Sequence, residues 1–245
     1  MTRDPAEGVD AHGYLVTGAA LAKVAPVYRP ILDDCVSTLT ATFADRLDGL
    51  YLYGSVATGQ ARPPDSDLDL LALWTSTVDD NLVRATATAL STRHSGAVRE
   101  VGLARATLDS ITEPADRCFL KHYCVPLTGY DRRTDLAPCT PSRALADGFN
   151  GDVVPALRSI VDDAVNPAVA ARKAARRLLL AVATVESVSH ATWSTDRDTG
   201  AALLTRHHRE WTDVAANAVE LAAGRGNPDG AGDLVALADW LGRHP

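Results

Sequence analysis

The chain has 245 residues, of which 46% are hydrophobic and 22% charged, a composition typical of a folded globular protein and not of a disordered one. Its net charge is −7 and its pI is near 5.4, which disfavours nucleic acid as a partner and favours a cationic small molecule. No apolar segment reaches the roughly 20 residues of a membrane span, and the acidic N-terminus does not resemble a signal peptide, so we expect a cytoplasmic protein with no membrane partner.

The first half of the sequence predicts a mixture of helices and strands after about a dozen poorly ordered residues. Apolar side chains recur at helical spacing over residues 28–47, and Asp48-Gly49 is a predicted helix end. Further helices are predicted over residues 79–93 and 114–122. Short runs rich in apolar, branched and aromatic residues predict strands over 50–53, 67–74, 98–104 and 123–127.

The character of the sequence changes after Thr128. Gly129, Pro138 and Pro141 mark a connection, and the remainder is alanine-rich with helical periodicity. Helices are predicted over residues 152–164, 167–190, 198–224 and 230–242. The sequence therefore predicts an α+β protein: an N-terminal domain (1–140) with a mixed sheet and flanking helices, followed by a C-terminal all-helical bundle (141–245).

The most informative segment joins the first two predicted strands. Gly54-Ser55 stands where a buried strand ends, and a glycine there allows the backbone to approach a phosphate closely. A polar loop leads to Ser66, after which Asp67 and Asp69 project from one face of the next strand because side chains alternate along a strand. Two neighbouring carboxylates form a hard-oxygen ligand set for magnesium, although this pair alone would also fit a solvated strand end. In combination, these residues place a phosphate-binding turn beside a metal-binding pair.

This combination resembles the signature of the DNA-polymerase-β-like nucleotidyltransferases, especially the branch of the aminoglycoside nucleotidyltransferases. The resemblance is strong over about residues 50–74, and the order of helices and strands continues to agree to about residue 128. It implies that Gly54, Ser55 and Ser66 contact the nucleotide, ATP, and that Asp67 and Asp69 hold two magnesium ions. The implied reaction is the attack of an acceptor hydroxyl on the α-phosphorus, with release of pyrophosphate.

The same resemblance implies a third carboxylate on a following strand. Glu100 is the candidate, as a metal ligand or as the general base for the acceptor hydroxyl, and Asp109 and Glu113 are alternatives. An outward-facing glutamate on an edge strand is the competing, less favoured interpretation of Glu100.

Basic residues of the C-terminal half are candidates for contacts with the triphosphate or the acceptor. Lys173, Arg176 and Arg177 fall on one predicted helix at spacings that share a face, and a solvated basic face is the competing interpretation. Arg197 belongs to a loop-to-helix region where aminoglycoside-modifying relatives place a phosphate-contacting basic residue.

The acceptor is the least determined part of the hypothesis. A hydroxyl of a small molecule such as an aminoglycoside-like antibiotic is favoured, but Lys173-Ala-Ala-Arg176-Arg177 replaces the acidic helix that such relatives present to a cationic drug. A protein or RNA acceptor, as in antitoxin-type nucleotidyltransferases, and a non-catalytic nucleotide-binding module are the alternatives. The sequence does not predict the oligomeric state.

Two histidine-containing clusters receive a simpler interpretation. Cys118, His122, Cys124 and Cys139 do not have the spacing of a common zinc site, so we interpret the cysteines as reduced core thiols. His207-His208 with Glu210 resembles a metal site only superficially, because adjacent residues of a helix point in different directions, and a surface or interface position is expected.

Overall fold

The computed structural model describes residue 4, residues 6–162 and residues 165–243. These residues form two compact units. The sheet unit comprises Val16–Cys139, and the helical unit combines the residues before Val16 with those from Thr140 onwards. Within the described ranges, no helix is long and apolar enough to cross a membrane.

From Gly8 onwards the N-terminal residues form a small hairpin, so the prediction of poor order is wrong for these residues, and residues 1–3 and 5 lie outside the described residues. Its strands are β1 (Gly8–Val9) and β2 (Leu15–Val16). The Asp10 carboxylate accepts the amide hydrogens of His12 and Tyr14 at 2.8 and 2.9 Å, which stabilises the turn between the strands.

The sheet unit confirms the predicted mixed sheet with flanking helices. Its elements are α1 (Arg29–Phe43), β3 (Leu47–Tyr53), α2 (Gly54–Ala57), β4 (Leu68–Trp74), α3 (Asp80–Arg93), β5 (Val101–Thr107), α4 (Pro114–Tyr123) and β6 (Val125–Gly129). The strand order is β5-β4-β3-β6. Strand β3 runs antiparallel to β4 and β6, whereas β4 and β5 are parallel.

Both faces of this sheet are covered, which explains why its central strands are almost continuously apolar. Leu50, Leu52 and Leu70 pack in the core with residues of α1 and α3. The alternate residues Tyr51 and Leu71 pack on the opposite face with residues of α4. The same alternation of side chains along β4 determines the face of the sheet on which the Asp69 carboxylate lies.

Several predicted boundaries in this unit are wrong. Asp48-Gly49 does not end a helix: α1 ends at Phe43, and both residues belong to β3. The Asp48 carboxylate is held in the sheet by the Arg132 guanidinium, with hydrogen bonds of 2.6 and 2.8 Å. Strand β5 begins three residues later than predicted, at Val101, because Glu100 and Arg99 belong to the turn that leads into it.

The helical unit is built around one long helix. It contains α5 (Arg143–Asn150), α6 (Val153–Asp162), α7 (Pro167–Ser189), α8 (Arg197–His207), α9 (Thr212–Ala222) and α10 (Ala231–Arg243). Helix α7 contacts each of the other five. Its many alanines allow close helix approach, and at the crossing with α8 a Cβ on Gly200 would lie 2.7 Å from the backbone of Ala183.

The C-terminal half contains more and shorter helices than predicted. Helix α5 was not predicted; its N-cap is Ser142, whose hydroxyl accepts the amide hydrogen of Leu145 at 3.1 Å. The predicted helix 198–224 is interrupted at His208, which separates α8 from α9. The last two residues of the predicted helix 152–164 lie outside the described residues.

Candidate active site

The site is assembled where β3 ends and β4 begins. Tyr53, the last residue of β3, pairs with Asp69 near the start of β4. Asp67 directly precedes β4, and Gly102 on β5 is the neighbour of Asp69 on the other side. The antiparallel and parallel pairings therefore bring the end of one strand and the beginnings of two others to one edge of the sheet.

Gly54 fits closely against the Asp69 carboxylate. Its φ is +73°, a left-handed conformation that favours glycine. A Cβ at this position would overlap Oδ2 of Asp69, while a Cβ on Gly102 would lie 3.3 Å from Oδ1. The Asp69 carboxylate is thus flanked by two glycines. Sequence reasoning identified Gly54 but missed Gly102, because the register of a parallel pair is not visible in a local motif.

The electrostatic environment of Asp69 disfavours its ionised form. Burial, followed by the negative charge of Asp67, raises the pKa of Asp69 from 3.8 to about 6. The smaller effects oppose each other, since Arg99 lowers this pKa and Glu100 raises it. Burial and the charge of Asp69 likewise raise the pKa of Tyr53 to about 12. A cation at this edge would stabilise both carboxylates in the ionised form.

Arg99 already supplies one positive charge at the site. Its Nε donates a 2.9 Å hydrogen bond to Oδ1 of Asp67, and its Nη2 donates to Oδ2. These bonds and the Asp67 charge raise the pKa of Arg99. The sequence analysis did not single out Arg99. Its position directly before the candidate acid Glu100 was the only signal that could have identified it.

The two candidate serines differ in their surroundings. The Ser55 carbonyl accepts the amide hydrogens of Gln60 and Ala61 at 2.8 and 3.1 Å, which closes the turn after α2. Within the described chain its hydroxyl makes no hydrogen bond. The Ser66 hydroxyl, by contrast, accepts the amide hydrogen of Arg62 at 2.8 Å. Ser66 therefore shapes the loop before the aspartates, and the nucleotide contact of either serine stays a prediction.

Glu100 lies close to this edge of the sheet but not within a strand. It is exposed and directly precedes β5, and its carbonyl accepts the amide hydrogen of Leu68 at 2.9 Å. The expectation of an acid inside the strand is therefore wrong, although the Glu100 charge is near enough to raise the pKa of Asp69. Asp109 and Glu113 follow the opposite end of β5, so the strand separates them from the aspartate pair.

The candidate basic residues of the helical unit are partly brought together. Lys173 and Arg176 are exposed on α7, whereas Arg177 forms an ion pair with Asp152. Arg197, the first residue of α8, donates a 3.2 Å hydrogen bond from Nε to the carbonyl of Arg176. Burial and the charge of Arg176 lower the pKa of Arg197. The pair Arg176 and Arg197 thus forms a small basic cluster whose charges repel each other.

The histidines of the helical unit correct a further expectation. The Nε2 atom of His208 lies 3.4 Å from Oε2 of the fully buried Glu186, so the expected surface position is wrong for His208, whereas His207 is exposed; an interface role stays a prediction. His207 instead stacks on His190 with ring centroids 3.7 Å apart. The two adjacent histidines do point in different directions, as their helical spacing predicts.

The chemistry of the sheet edge fits a hard divalent cation. It offers carboxylate oxygens, the preferred ligands of magnesium. One carboxylate is half-buried with a raised pKa, and the other is neutralised by an arginine. A magnesium ion would be held by Asp67 and Asp69, with Glu100 as the candidate third ligand.

Comparison with solved structures shows that this chain shares its fold with spectinomycin adenyltransferase AAD(9) from Enterococcus faecialis, solved with ATP and spectinomycin. This agrees with the predicted mixed sheet with flanking helices. The AAD(9) structure matches with a TM-score of 0.58 and 12% identity over 87% of this chain and 97% of that chain.

Two weaker similarities involve toxin–antitoxin structures. One, with AMP-PNP, has a TM-score of 0.32 and 16% identity over 54% of this chain and 96% of that chain. The other contains a tri-AMPylated Shewanella oneidensis HEPN toxin in complex with MNT antitoxin, with a TM-score of 0.30 and 15% identity over 55% of this chain and 96% of that chain. No protein-family model matches the chain, and no curated protein matches its sequence significantly.

Proposed function

We propose that this protein is a magnesium-dependent nucleotidyltransferase that transfers AMP from ATP to a hydroxyl group of a small molecule. The observation that carries the proposal is the position of the Asp69 carboxylate between two glycines and beside Asp67, with a raised pKa. A fold has little reason to keep two repelling acids at a half-buried strand edge unless a cation is to bind there.

Each residue of the sheet edge has a separate role in this proposal. Asp67 and Asp69 would hold two magnesium ions, and these ions would supply positive charge to offset that of the triphosphate and of the transition state. The Gly54-Ser55 turn lets the phosphates approach the backbone, and the Ser55 hydroxyl donates a hydrogen bond to a phosphate oxygen. Ser66 keeps the loop before Asp67 in shape and adds a nucleotide contact.

The transfer step requires a proton acceptor. Glu100, exposed beside the aspartates, takes the proton of the acceptor hydroxyl as its oxygen bonds to the α-phosphorus. The bond from the α-phosphorus to the bridging oxygen breaks, and pyrophosphate leaves. Arg99 now neutralises Asp67; with a magnesium ion held by Asp67, its guanidinium would be available to an anionic phosphate group.

These tasks are divided between the two units. The sheet unit, Val16–Cys139, carries the transferase chemistry, and the helical unit, which includes the predicted bundle 141–245, contributes to substrate binding. Lys173, Arg176 and Arg197 are the proposed contacts of the helical domain with the triphosphate or the acceptor. The AAD(9) structure contains spectinomycin, which makes aminocyclitol and aminoglycoside antibiotics the first acceptors to test.

The test measures pyrophosphate release from ATP and magnesium over a panel of spectinomycin, aminoglycosides, proteins and RNA. A product heavier by one AMP in mass spectrometry, formed by the wild type and not by Asp69→Ala, supports the proposal. The nature of the modified acceptor then decides between a small molecule and a macromolecule. ATP binding without turnover on any acceptor would favour a nucleotide-binding module instead.

A further inference from the structure

Three side chains with soft ligand atoms converge beneath α4, in a part of the sheet unit that the proposed function does not use. Cys118 and His122 are four residues apart on α4 and therefore share a face. Cys139 comes from the segment that follows β6. One sulfur or nitrogen atom from each lies within 4.8 Å of the others.

The surroundings hold this arrangement in place from both sides. The Cys139 amide donates a 2.9 Å hydrogen bond to Nε2 of His122, which orients the imidazole towards the Cys139 segment. The Thr17 hydroxyl donates to the His122 carbonyl. Cys118 is fully buried, whereas His122 and Cys139 are half-buried. The cluster thus has one protected ligand and two that solvent reaches, so an ion could enter.

The convergence is not a general consequence of buried cysteines. Cys124 is also buried and lies close in sequence, yet it is not part of the group. Cys35 is buried in the other core, on α1. Of the four cysteine and histidine residues between positions 118 and 139, all but Cys124 lie close together. They do so although their sequence spacing matches no common zinc motif.

We propose that Cys118, His122 and Cys139 bind a soft or borderline divalent cation, Zn²⁺, in a site distinct from the aspartate pair. Two thiolates and one imidazole are ligands that zinc prefers over magnesium, and a water molecule completes the tetrahedron. Each thiol releases its proton to solvent as its sulfur bonds to the metal. If Nε2 is the ligating nitrogen, the metal replaces its hydrogen bond with the Cys139 amide. The bound ion would link the segment after β6 to α4.

The test uses the full chain, reduced and stripped of metal by a chelator. Zn²⁺ is titrated in competition with a chromophoric chelator, and Co²⁺ is added to parallel samples as a spectroscopic substitute. We expect one high-affinity Zn²⁺ per chain, and a Co²⁺ spectrum with a thiolate-to-cobalt charge-transfer band and tetrahedral d–d bands. Cys139→Ser, at a half-buried position where folding should survive, is expected to lose the charge-transfer intensity of one sulfur and to bind Zn²⁺ much more weakly.

Further variants separate this site from other metal binding. Cys118→Ser should show the same loss, and Cys124→Ser, a nearby buried cysteine outside the cluster, should bind like the wild type; Cys35→Ser replaces it as the control if that variant does not fold. Asp69→Asn should also bind Zn²⁺ with the full charge-transfer band, whether or not the proposed transferase function is correct. The proposal is overturned if the reduced wild type shows no charge-transfer band, or if the band persists in a Cys118→Ser/Cys139→Ser double variant.

Discussion

Each of the two units of this protein contains a glycine with no room for a methyl group. The two glycines differ in the kind of group that lies against them. In the sheet unit, Gly54 packs against the carboxylate of Asp69; in the helical unit, Gly200 packs against the backbone of Ala183. The helix crossing is a matter of packing, because close approach increases the buried contact area. The carboxylate contact brings no such gain, since Asp69 is held where burial and Asp67 oppose its charge. A close contact that holds an unfavourable charge points to function, and one that only removes volume points to stability.

The largest expected effect comes from removing the charge of Asp69. Asp69→Asn keeps the shape of the side chain and deletes a metal ligand, so AMP transfer should fall by roughly a thousandfold, or about 4 kcal/mol in the activation barrier. Its thermal stability should be unchanged or higher, because the repulsion with Asp67 disappears. Steady-state rates and melting curves check both parts. Asp65→Asn, at an exposed acid of the same loop, should behave like the wild type.

Gly54→Ala should damage activity and stability together. The alanine must adopt a φ of +73° and its methyl group overlaps Oδ2 of Asp69, so we expect a loss of about 1–3 kcal/mol in the free energy of unfolding. Activity should fall further than this, because Asp69 is displaced. The control is Gly96→Ala, where a Cβ would meet nothing within 4 Å. Full activity in Gly54→Ala would show that the close contact with Asp69 has no functional role.

Gly200→Ala should lower the stability of the protein but leave the magnesium-dependent AMP transfer of the folded protein intact. Its methyl group would lie 2.7 Å from the Ala183 backbone, and overpacking of this kind destabilises by about 1–3 kcal/mol, measurable by urea denaturation. Gly232→Ala, in α10 with open space around it, should be neutral or stabilising by up to about 1 kcal/mol. A folded Gly200→Ala protein with normal stability and no activity would contradict the distinction between the two glycines.

The pH dependence should report the environment of Asp69. Its folded pKa of about 6 lies above the ordinary value of 3.8, so the folded state binds a proton more tightly than the unfolded state. The resulting stability is present at low pH and is lost as the pH rises through about 6, and Asp69→Asn should abolish this component. At limiting magnesium, apparent Mg²⁺ affinity should fall by about tenfold per pH unit below this pKa, because protonation removes the ligand. Titrations of Mg²⁺ between pH 5 and 8 would measure it, and an affinity that does not change over this range would contradict the prediction.

Arg99→Ala should have the smallest effect, and it should make magnesium binding easier where the preceding changes impair it. The ion pair with Asp67 is largely exposed, so its strength is at most about 1 kcal/mol. If Arg99 competes with the metal for Asp67, the Mg²⁺ concentration for half-maximal activity should fall by up to about fivefold. Arg93→Ala removes a similar exposed pair with Asp34 and should leave this concentration unchanged. A higher magnesium requirement in Arg99→Ala would indicate that Arg99 assists metal binding.

The predictable features of the site were those encoded by neighbouring residues. Strand alternation oriented Asp67 and Asp69, and the Gly54-Ser55 turn followed from a glycine at the end of a buried strand. Gly102 was missed because it reaches the site through the parallel pairing of β5 with β4, which no local pattern encodes. Arg99 was missed because it lies in the turn before β5, where its amide donates to the Ser66 carbonyl at 3.1 Å. The start of β5 was misplaced for a related reason, since Glu100 is exposed and joins the sheet edge only through its carbonyl.

The helical half shows a different limit of sequence-based prediction. Periodicity found α7 and α10 well, but it could not find the break at His208 between α8 and α9. That break places the His208 ring near buried Glu186 and against Trp240, and such contacts depend on a helix distant in sequence. Similarly, the spacing of Cys118, His122 and Cys139 did not suggest a metal site, because the turn after β6 brings Cys139 back to α4.

Calorimetric titration of ATP into wild type and Asp69→Asn, each with and without Mg²⁺, tests the central claim most directly because it needs no acceptor. If the aspartate pair binds the cations that hold the triphosphate, wild type should bind ATP tightly only when Mg²⁺ is present, and the variant should lose this dependence together with most of its affinity. Equal ATP affinity in wild type and variant, or tight wild-type binding that is indifferent to Mg²⁺, would contradict it.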